Sequence, residues 1–490
     1  MTSFAWKREY RCWLPLAGVA WLLAWLARDP FMADWDSFDY AACVVQGTPS
    51  PLGLGRALFL ACNRVLWLVA HYAFGWSPDQ AYLLIKYGVI AQSGLAIVGL
   101  YALYRELTAE SRAALLAALL VALSPLYVVY SGRGMSEIPG VLWWAWSLWW
   151  MMRSLRRNQT VQYLLAAVLF GLSANVREFA VFYLPLVALA GWIYGQRWKV
   201  WMTAFGLACV AAVAGPVYWA LAWPEYYLPA VRTWYALSAQ ERLEHPVTLR
   251  NVWLLAGYAF ICSPAAFLLT PVSIRNFRRA KIRAHARGRV WVLTSLFGLL
   301  SVLALVANHD LALNPRYLLT GLLGLAPLCG WWLAEWSRER TKWRNIALAM
   351  LASLTVISLI GAAIFLHRVQ WPHTVAARDY AAMISTLPEQ SVFLVGRRTP
   401  LVNYYQRIGA HPGWQTIPFG SGWPDARLGE VVDDYLKAGR PVFVDFDETI
   451  WSEGMREHSR EAAGLELLRR NYQLEPVKAT LFRVVGKNKP

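Results

Sequence analysis

Apolar runs separated by short polar stretches fill the first three quarters of the chain. Most approach or exceed the ~18 residues that a bilayer-spanning helix needs. The first run is Trp13 to Ala27 and the next is Ala57 to Gly75. Further runs cover 80–104, 113–130, 138–152, 161–175, 178–195, 199–222, 251–271, 290–307, 317–336 and 345–367. Lysine and arginine fall between them: Arg105 and Arg112; Arg153, Arg156 and Arg157; Arg197 and Lys199; a dense patch over 275–289; then Arg338, Arg340, Lys342 and Arg344. Lys7, Arg8 and Arg11 precede the first run, so the positive-inside rule puts the N-terminus in the cytoplasm and the segment after residue 28 outside. The run 57–75 carries Asn63, Arg64 and His71, which are costly in lipid. As a span it would move Arg153, Arg156, Arg157 and the 275–289 patch outside. As an interfacial helix, within a first external loop of residues 29–79, it leaves every basic patch inside. The pattern therefore predicts about eleven spans and an external C-terminus.

From about residue 368 the pattern changes. Apolar stretches shorten to strand length at Val392 to Val395, Pro441 to Phe446 and Leu481 to Val485, with helix-like segments at Arg427 to Ala438 and Glu453 to Arg470. The predicted fold is a multi-span α-helical membrane protein, residues 1–367, followed by an extracytoplasmic α/β domain, residues 368–490.

Composition agrees with this reading. The chain is 57% hydrophobic, has 28 Trp and is only 16% charged, which is not the composition of a soluble domain. The net charge of +17 lies in patches between apolar runs, so it speaks for membrane topology and against nucleic acid. The first run lacks a small-residue cleavage site after it and reads as a retained anchor. Cys12, Cys62, Cys209, Cys262 and Cys329 lie in or beside apolar runs and Cys43 in a loop, with no disulfide framework or metal-type spacing.

The candidate chemistry begins at residues 29–47, where Asp29, Asp34, Asp36 and Asp39 follow the first run. Like charges held together raise each other's pKa, so such a cluster calls for a cation, a proton-acceptor role or a basic partner; the plain alternative is a solvated acidic loop. Other ionisable residues stand at the external ends of predicted spans: Lys86, Arg133, Glu137, Arg177, Glu178 and Arg316. Each alone could be snorkelling to the interface. Together, four basic residues on the acidic loop's side suit an anionic headgroup such as a lipid phosphate, for which arginine offers a two-pronged donor. Two further signals are set aside. Gly53-Leu54-Gly55 has no preceding strand and no third glycine for a dinucleotide fingerprint. Asp445-Phe446-Asp447-Glu448-Thr449 looks like a phosphatase nucleophile motif, but too little chain follows it to carry the rest of such a site, so it reads as a strand-end turn.

The layout of about residues 10–370 resembles the bacterial GT-C glycosyltransferases, the group that includes protein O-mannosyltransferases and lipid A aminoarabinose transferases. The family's first-loop pattern Asp-Glu/Ser-x-x-Tyr/Phe is matched by Asp36-Ser37-Phe38-Asp39-Tyr40, with Ser where many members have Glu. Lys86 stands where the family often has a basic residue, and Glu137 where a second external acid follows. Arg316-Tyr317-Leu318-Leu319 matches a late Arg-Tyr-Leu-Leu pattern that contacts lipid phosphate in the family, although the usual following Pro is Thr320 here. Arg177 and Arg133 are assigned from topology rather than from a motif.

The resemblance implies a glycosyltransferase of the bacterial inner membrane that moves a sugar from a polyprenyl-phosphate donor to a lipid, glycan or protein acceptor on the outer face. The leaving group is then a phosphate and needs no general acid. One carboxylate takes the acceptor proton, and basic side chains stabilise the phosphate as charge builds on it. Asp36 is the expected base, with Asp34, Asp39 and Glu137 as supporting acids. Lys86, Arg316, Tyr317, Arg177 and Arg133 are the expected phosphate contacts. An acidic loop facing a phosphate also suits a divalent cation, with Asp36 and Glu137 as its ligands if one binds, though no sequence feature demands it. The rival readings are a flippase of lipid-linked saccharides, a related polymerase or ligase with a lipid-diphosphate donor, and an inactive scaffold of the same fold.

Overall fold

The computed structural model describes residues 3–32, 35–50, 56–244, 249–279, 285–306, 315–338, 342–395, 398–418, 425–445, 460–478 and 480–488. Asp34, the Gly53-Leu54-Gly55 stretch and residues 446–449 of the acidic motif lie outside them. The chain divides into two compact units. The helical unit comprises Met1–Asp29, Gly47–Leu66 and Leu83–Trp371, and the second unit Pro30–Gln46, Trp67–Tyr82 and Pro372–Pro490.

The helices in order are α1 Ser3–Leu26, α2 Trp35–Gln46, α3 Ala57–Phe74, α4 Ala81–Thr108, α5 Ser111–Ala122, α6 Pro125–Ser131, α7 Glu137–Arg156, α8 Thr160–Ser173, α9 Leu184–Ile193 and α10 Trp198–Ala222. They continue with α11 Pro224–Glu244, α12 Leu249–Cys262, α13 Pro264–Arg279, α14 Ala286–Val306, α15 Leu318–Trp336, α16 Lys342–Phe365 and α17 Trp371–Ile384. Among the described residues six helices are long and apolar enough to cross a membrane, or up to eight if each bent pair is one span. α3, expected to lie on the surface, passes the same test. α15 is the most enclosed of these, with 83% of its apolar window buried, whereas the window that includes α16 is only 6% buried. The exposed residues of α16 include Met350, Val356, Ile357, Ile360 and Ile364. Such a face is an aggregation hazard in water and an ordinary one in hydrocarbon.

Two predicted single spans are broken. The run 113–130 bends by 63° between α5 and α6, and the run 251–271 turns by 112° between α12 and α13. Both breaks are Ser-Pro steps, Ser124-Pro125 and Ser263-Pro264. Proline cannot supply the N–H that continues a helix but fits its first turn. Ser124 also accepts a hydrogen bond from the Tyr127 N–H at 3.2 Å and so caps α6. The run 178–195 opens with a 3-10 turn, Glu178–Tyr183, and α11 had no predicted counterpart.

The second unit carries a five-stranded sheet of β1 Val392–Val395, β2 Gln415–Pro418, β3 Val442–Asp445, β4 Tyr472–Lys478 and β5 Leu481–Lys487, in the order β2-β1-β3-β5-β4. β1, β2 and β3 run parallel; β5 is antiparallel to β3 and β4. Val392, Leu394, Val442, Val444 and Val484 meet α19, Asp425–Lys437, and α20, Arg460–Asn471, in its core. The three apolar stretches are strands as expected; β2 and β4 were missed, because both carry polar side chains and contain a proline. α2 belongs to this unit and packs against α18, Thr399–Arg407.

Candidate active site

The helical unit gathers Arg56, Glu137, Arg177, Glu178 and Arg316. α7 begins at Glu137, and Gly140 one turn on lets the chain at Arg177 approach: a Cβ on Gly140 would lie 2.5 Å from the Arg177 Cβ. Arg177 Nη2 lies 2.8 Å from Glu137 Oε1, and its Nη1 donates to Ser136 Oγ at 3.1 Å. The Asn175 carbonyl accepts from Leu58 N at 3.0 Å, which ties the start of α3 to the same turn. Arg56, next to that start, then reaches Glu178 at 3.2 Å. The 3-10 turn Pro315–Tyr317 before α15 brings Arg316 Nε to 3.5 Å from Glu137. Three arginines against two glutamates leave one net positive charge. Glu137, Arg177, Glu178, Arg316, Tyr317 and Thr320 are among the residues lining a small cavity there. Two of the three arginines and both glutamates face it.

A second buried group surrounds Asp29. Its main-chain N–H donates to Gly132 O at 3.2 Å, and its carbonyl accepts from Lys86 Nζ at 2.9 Å. Gly132 is required, because a Cβ there would lie 2.3 Å from Ala27 O. Gln370 donates to the Asp29 carboxylate and accepts from Arg133. Gln370 ends a π-helical turn, Leu366–Gln370, a geometry that often marks a constrained position. Expected phosphate contacts therefore fall into two groups: Arg177, Arg316 and Tyr317 with Glu137, and Lys86 and Arg133 with Asp29 and Gln370.

In the second unit the acidic stretch is helical, so Asp36 and Asp39 lie near one face of α2. Asp36 is buried in its first turn and accepts from the Tyr40 hydroxyl at 3.3 Å. Asp39 pairs with Arg407 of α18 at 2.6 Å. Gln46 Nε2 donates to the Arg407 carbonyl at 2.7 Å, which fixes the same pair of helices. Asp39 is thus held by a structural cation, while Asp36 meets the hydroxyl of its own helix. Among the described residues no group of three or more His, Cys, Asp or Glu side chains could hold a metal ion.

Comparison with known proteins reads this architecture further. Residues 81–223 match the family model described as dolichyl-phosphate-mannose-protein mannosyltransferase. The chain is 25% identical over 392 residues to the undecaprenyl phosphate-alpha-4-amino-4-deoxy-L-arabinose arabinosyl transferase of Pseudomonas aeruginosa, covering 66% of this chain and 69% of that one. The crystal structure of ArnT from Cupriavidus metallidurans bound to undecaprenyl phosphate is similar at TM-score 0.58 and 13% identity, over 99% of this chain and 98% of that one. These similarities are to glycosyltransferases, over part of the chain in sequence and over nearly all of it in fold. The fold is also that of the Archaeoglobus fulgidus oligosaccharyltransferase, at TM-score 0.60 and 12% identity over 99% of this chain and 75% of that one.

Sequence reasoning missed Arg56, Gln370 and Arg407. Arg56 had a signal, a lone charge at the mouth of an apolar run. Gln370 and Arg407 had none, since their partners are 341 and 368 residues away.

Proposed function

We propose that the chain is an inverting glycosyltransferase that moves a sugar from a polyprenyl-phosphate carrier to an acceptor hydroxyl on a lipid, glycan or protein. It works on the external face of a bacterial inner membrane, with the N-terminus cytoplasmic and the sheet-containing domain outside. The observation that carries this reading is the cluster of Arg56, Arg177 and Arg316 around Glu137 and Glu178, net positive as a group, beside a small cavity that Arg177 and Arg316 line. Its guanidiniums suit a phosphate monoester, and the solved ArnT relative holds undecaprenyl phosphate.

Asp36 takes the proton of the acceptor hydroxyl, whose oxygen attacks the anomeric carbon in a single displacement. The carbon–oxygen bond to the carrier breaks and leaves the lipid phosphate, so the configuration inverts. Arg316, Arg177 and Tyr317 bind that phosphate and stabilise its growing charge. Lys86, held by the Asp29 carbonyl, and Arg133 assist as further positive charges. Glu137 positions Arg177 and Arg316. Because Glu137 is already neutralised by these two guanidiniums, it does not make a cation site, and no step runs through a divalent ion. Asp39 supports the acidic segment through Arg407.

The test is transfer from a labelled polyprenyl-phosphate sugar by the full chain in vesicles, with the anomeric configuration of the product read by NMR. Asp36→Asn keeps the shape and removes the base, so turnover falls by about 10²–10⁴-fold while donor binding persists. Near-normal turnover in Asp36→Asn removes Asp36 as the base. Retention of configuration rules out the single displacement.

A further inference from the structure

A second cavity of the helical unit lies between α7 and α8, and no residue of it serves the proposed transfer. Trp143, Trp146, Trp149 and Trp150 of α7 line it with Leu169 of α8, and Arg153 stands at one end. The wall is ordered by specific contacts. Trp146 Nε1 donates to Leu95 O at 3.1 Å, the Trp146 and Trp149 rings meet edge-on at 5.2 Å, and the Arg153 guanidinium lies 5.1 Å from the Trp149 ring centroid. Arg156 and Arg157 follow on the exposed end of α7. Glu106 pairs with Arg156 at 2.9 Å and also lies near Arg105 and Arg153, so arginines outnumber this glutamate at this end and the group carries excess positive charge.

The dimensions are those of one leaflet. From Leu142 to Arg153 the helix rises about 16 Å, roughly half of a ~30 Å hydrocarbon core. Tryptophan suits the region where chains meet headgroups, and arginine the headgroup itself. A zwitterionic headgroup does not answer the excess positive charge of this group; an anionic one does. We propose that this groove binds an anionic phospholipid of the leaflet at the Arg153 end. One acyl chain lies along the tryptophan wall, and Arg153 and Arg157 hold the phosphate. The inference rests on the reading of α7 and α8 as membrane helices and is independent of the sugar chemistry.

The experiment is native mass spectrometry of the full chain in detergent, titrated with phosphatidylglycerol, phosphatidylcholine or a polyprenyl phosphate. The first equivalent of phosphatidylglycerol binds more tightly than phosphatidylcholine and is not displaced by the polyprenyl phosphate. Arg153→Gln with Arg157→Gln weakens phosphatidylglycerol binding by roughly tenfold or more and abolishes its advantage. Trp149→Leu weakens both phospholipids. If the double variant does not fold, Arg157→Gln alone, at an exposed position, carries the comparison. Equal binding of the two phospholipids, or an unchanged advantage in the arginine variant, overturns the proposal. Displacement by polyprenyl phosphate overturns it too and assigns the groove to the carrier. Sugar transfer is not the readout, so an inactive preparation leaves this result standing.

Discussion

The helical unit buries charge in two places and builds them differently. Around Glu137, full charges meet full charges: Arg177 and Arg316 share one carboxylate, and Arg56 takes Glu178. Around Asp29 a neutral amide, Gln370, stands between a carboxylate and a guanidinium, and Lys86 is held by a main-chain carbonyl. The first arrangement is electrostatic. Its excess positive charge is useful only to an incoming anion, and the cluster borders a cavity. The second is geometric. It pins the chain just beyond α1, the turn before α7 and the π-helical turn after α16 to one another. A buried ion pair is weak evidence for stability in itself, yet expensive to break once formed. The two clusters should therefore answer differently to mutation.

The largest expected effect is at Glu137. Glu137→Gln leaves Arg177 and Arg316 buried with their shared carboxylate gone, and stability falls by about 3–5 kcal/mol. Thermal unfolding of the full chain in detergent measures this. A loss below about 1 kcal/mol would mean that solvent reaches the cluster and the pair is screened. Added polyprenyl phosphate should recover part of the loss, because the anion replaces the missing charge by mass action.

Arg316→Ala comes next and sharpens the functional side of the contrast. It removes a charge-assisted donor from the cavity, so use of the donor weakens by about 1.5–3 kcal/mol, read as a raised KM for the donor with acceptor dependence unchanged. Gln370→Ala follows. It strips the amide from between Arg133 and Asp29 and costs about 1–3 kcal/mol of stability. Donor KM should rise less than in Arg316→Ala, since Gln370 has no assigned contact with phosphate and acts on it only through Arg133, an assisting residue. An equal rise in donor KM in both variants would erase the distinction between the clusters.

The sequence made these groups visible to different degrees. Glu137, Arg177 and Arg316 stood out because a charge beside an apolar run is costly, and that cost is local. That they would share one cavity was not legible, for it depends on Gly140 leaving room for the Arg177 Cβ and on a 3-10 turn aiming Arg316. Lys86 was picked out for the same reason, yet its partner is the Asp29 carbonyl, and main-chain acceptors leave no trace in composition. Periodicity located the helices but passed over Ser124-Pro125 and Ser263-Pro264, where an apolar run continues through a change of direction. In the second unit, the parallel strands β1 and β3 were plain because they are buried on both faces. β4 was hidden because most of its side chains are exposed.

The smallest effect belongs to an ion pair of the second unit, where solvent is close. Register pairs Tyr472 of β4 with Lys487 of β5. Lys487 reaches Asp433 of α19 at 2.6 Å, and the Tyr472 hydroxyl donates to the same carboxylate at 2.9 Å. Partial burial raises the Asp433 pKa, but the hydrogen bonds from Lys487 and Tyr472 outweigh it and hold the carboxyl below its ordinary value. A depressed carboxylate contributes stability that is present above the unfolded pKa and lost as pH falls through the folded one. The lock therefore loosens only below the normal aspartate range, about pH 4. Asp433→Asn removes that acid-dependent part. Because Lys487 is largely exposed, the pair is worth at most about 1 kcal/mol, far below the Glu137 cluster. Amide hydrogen exchange over Tyr472–Lys478 in the full chain, corrected for the intrinsic pH dependence, reads it locally. Wild type should lose protection as pH falls below about 4, and Asp433→Asn should show a flat, slightly lower protection across the same range. An acid limb of equal size in the variant would place the titrating group elsewhere in the sheet.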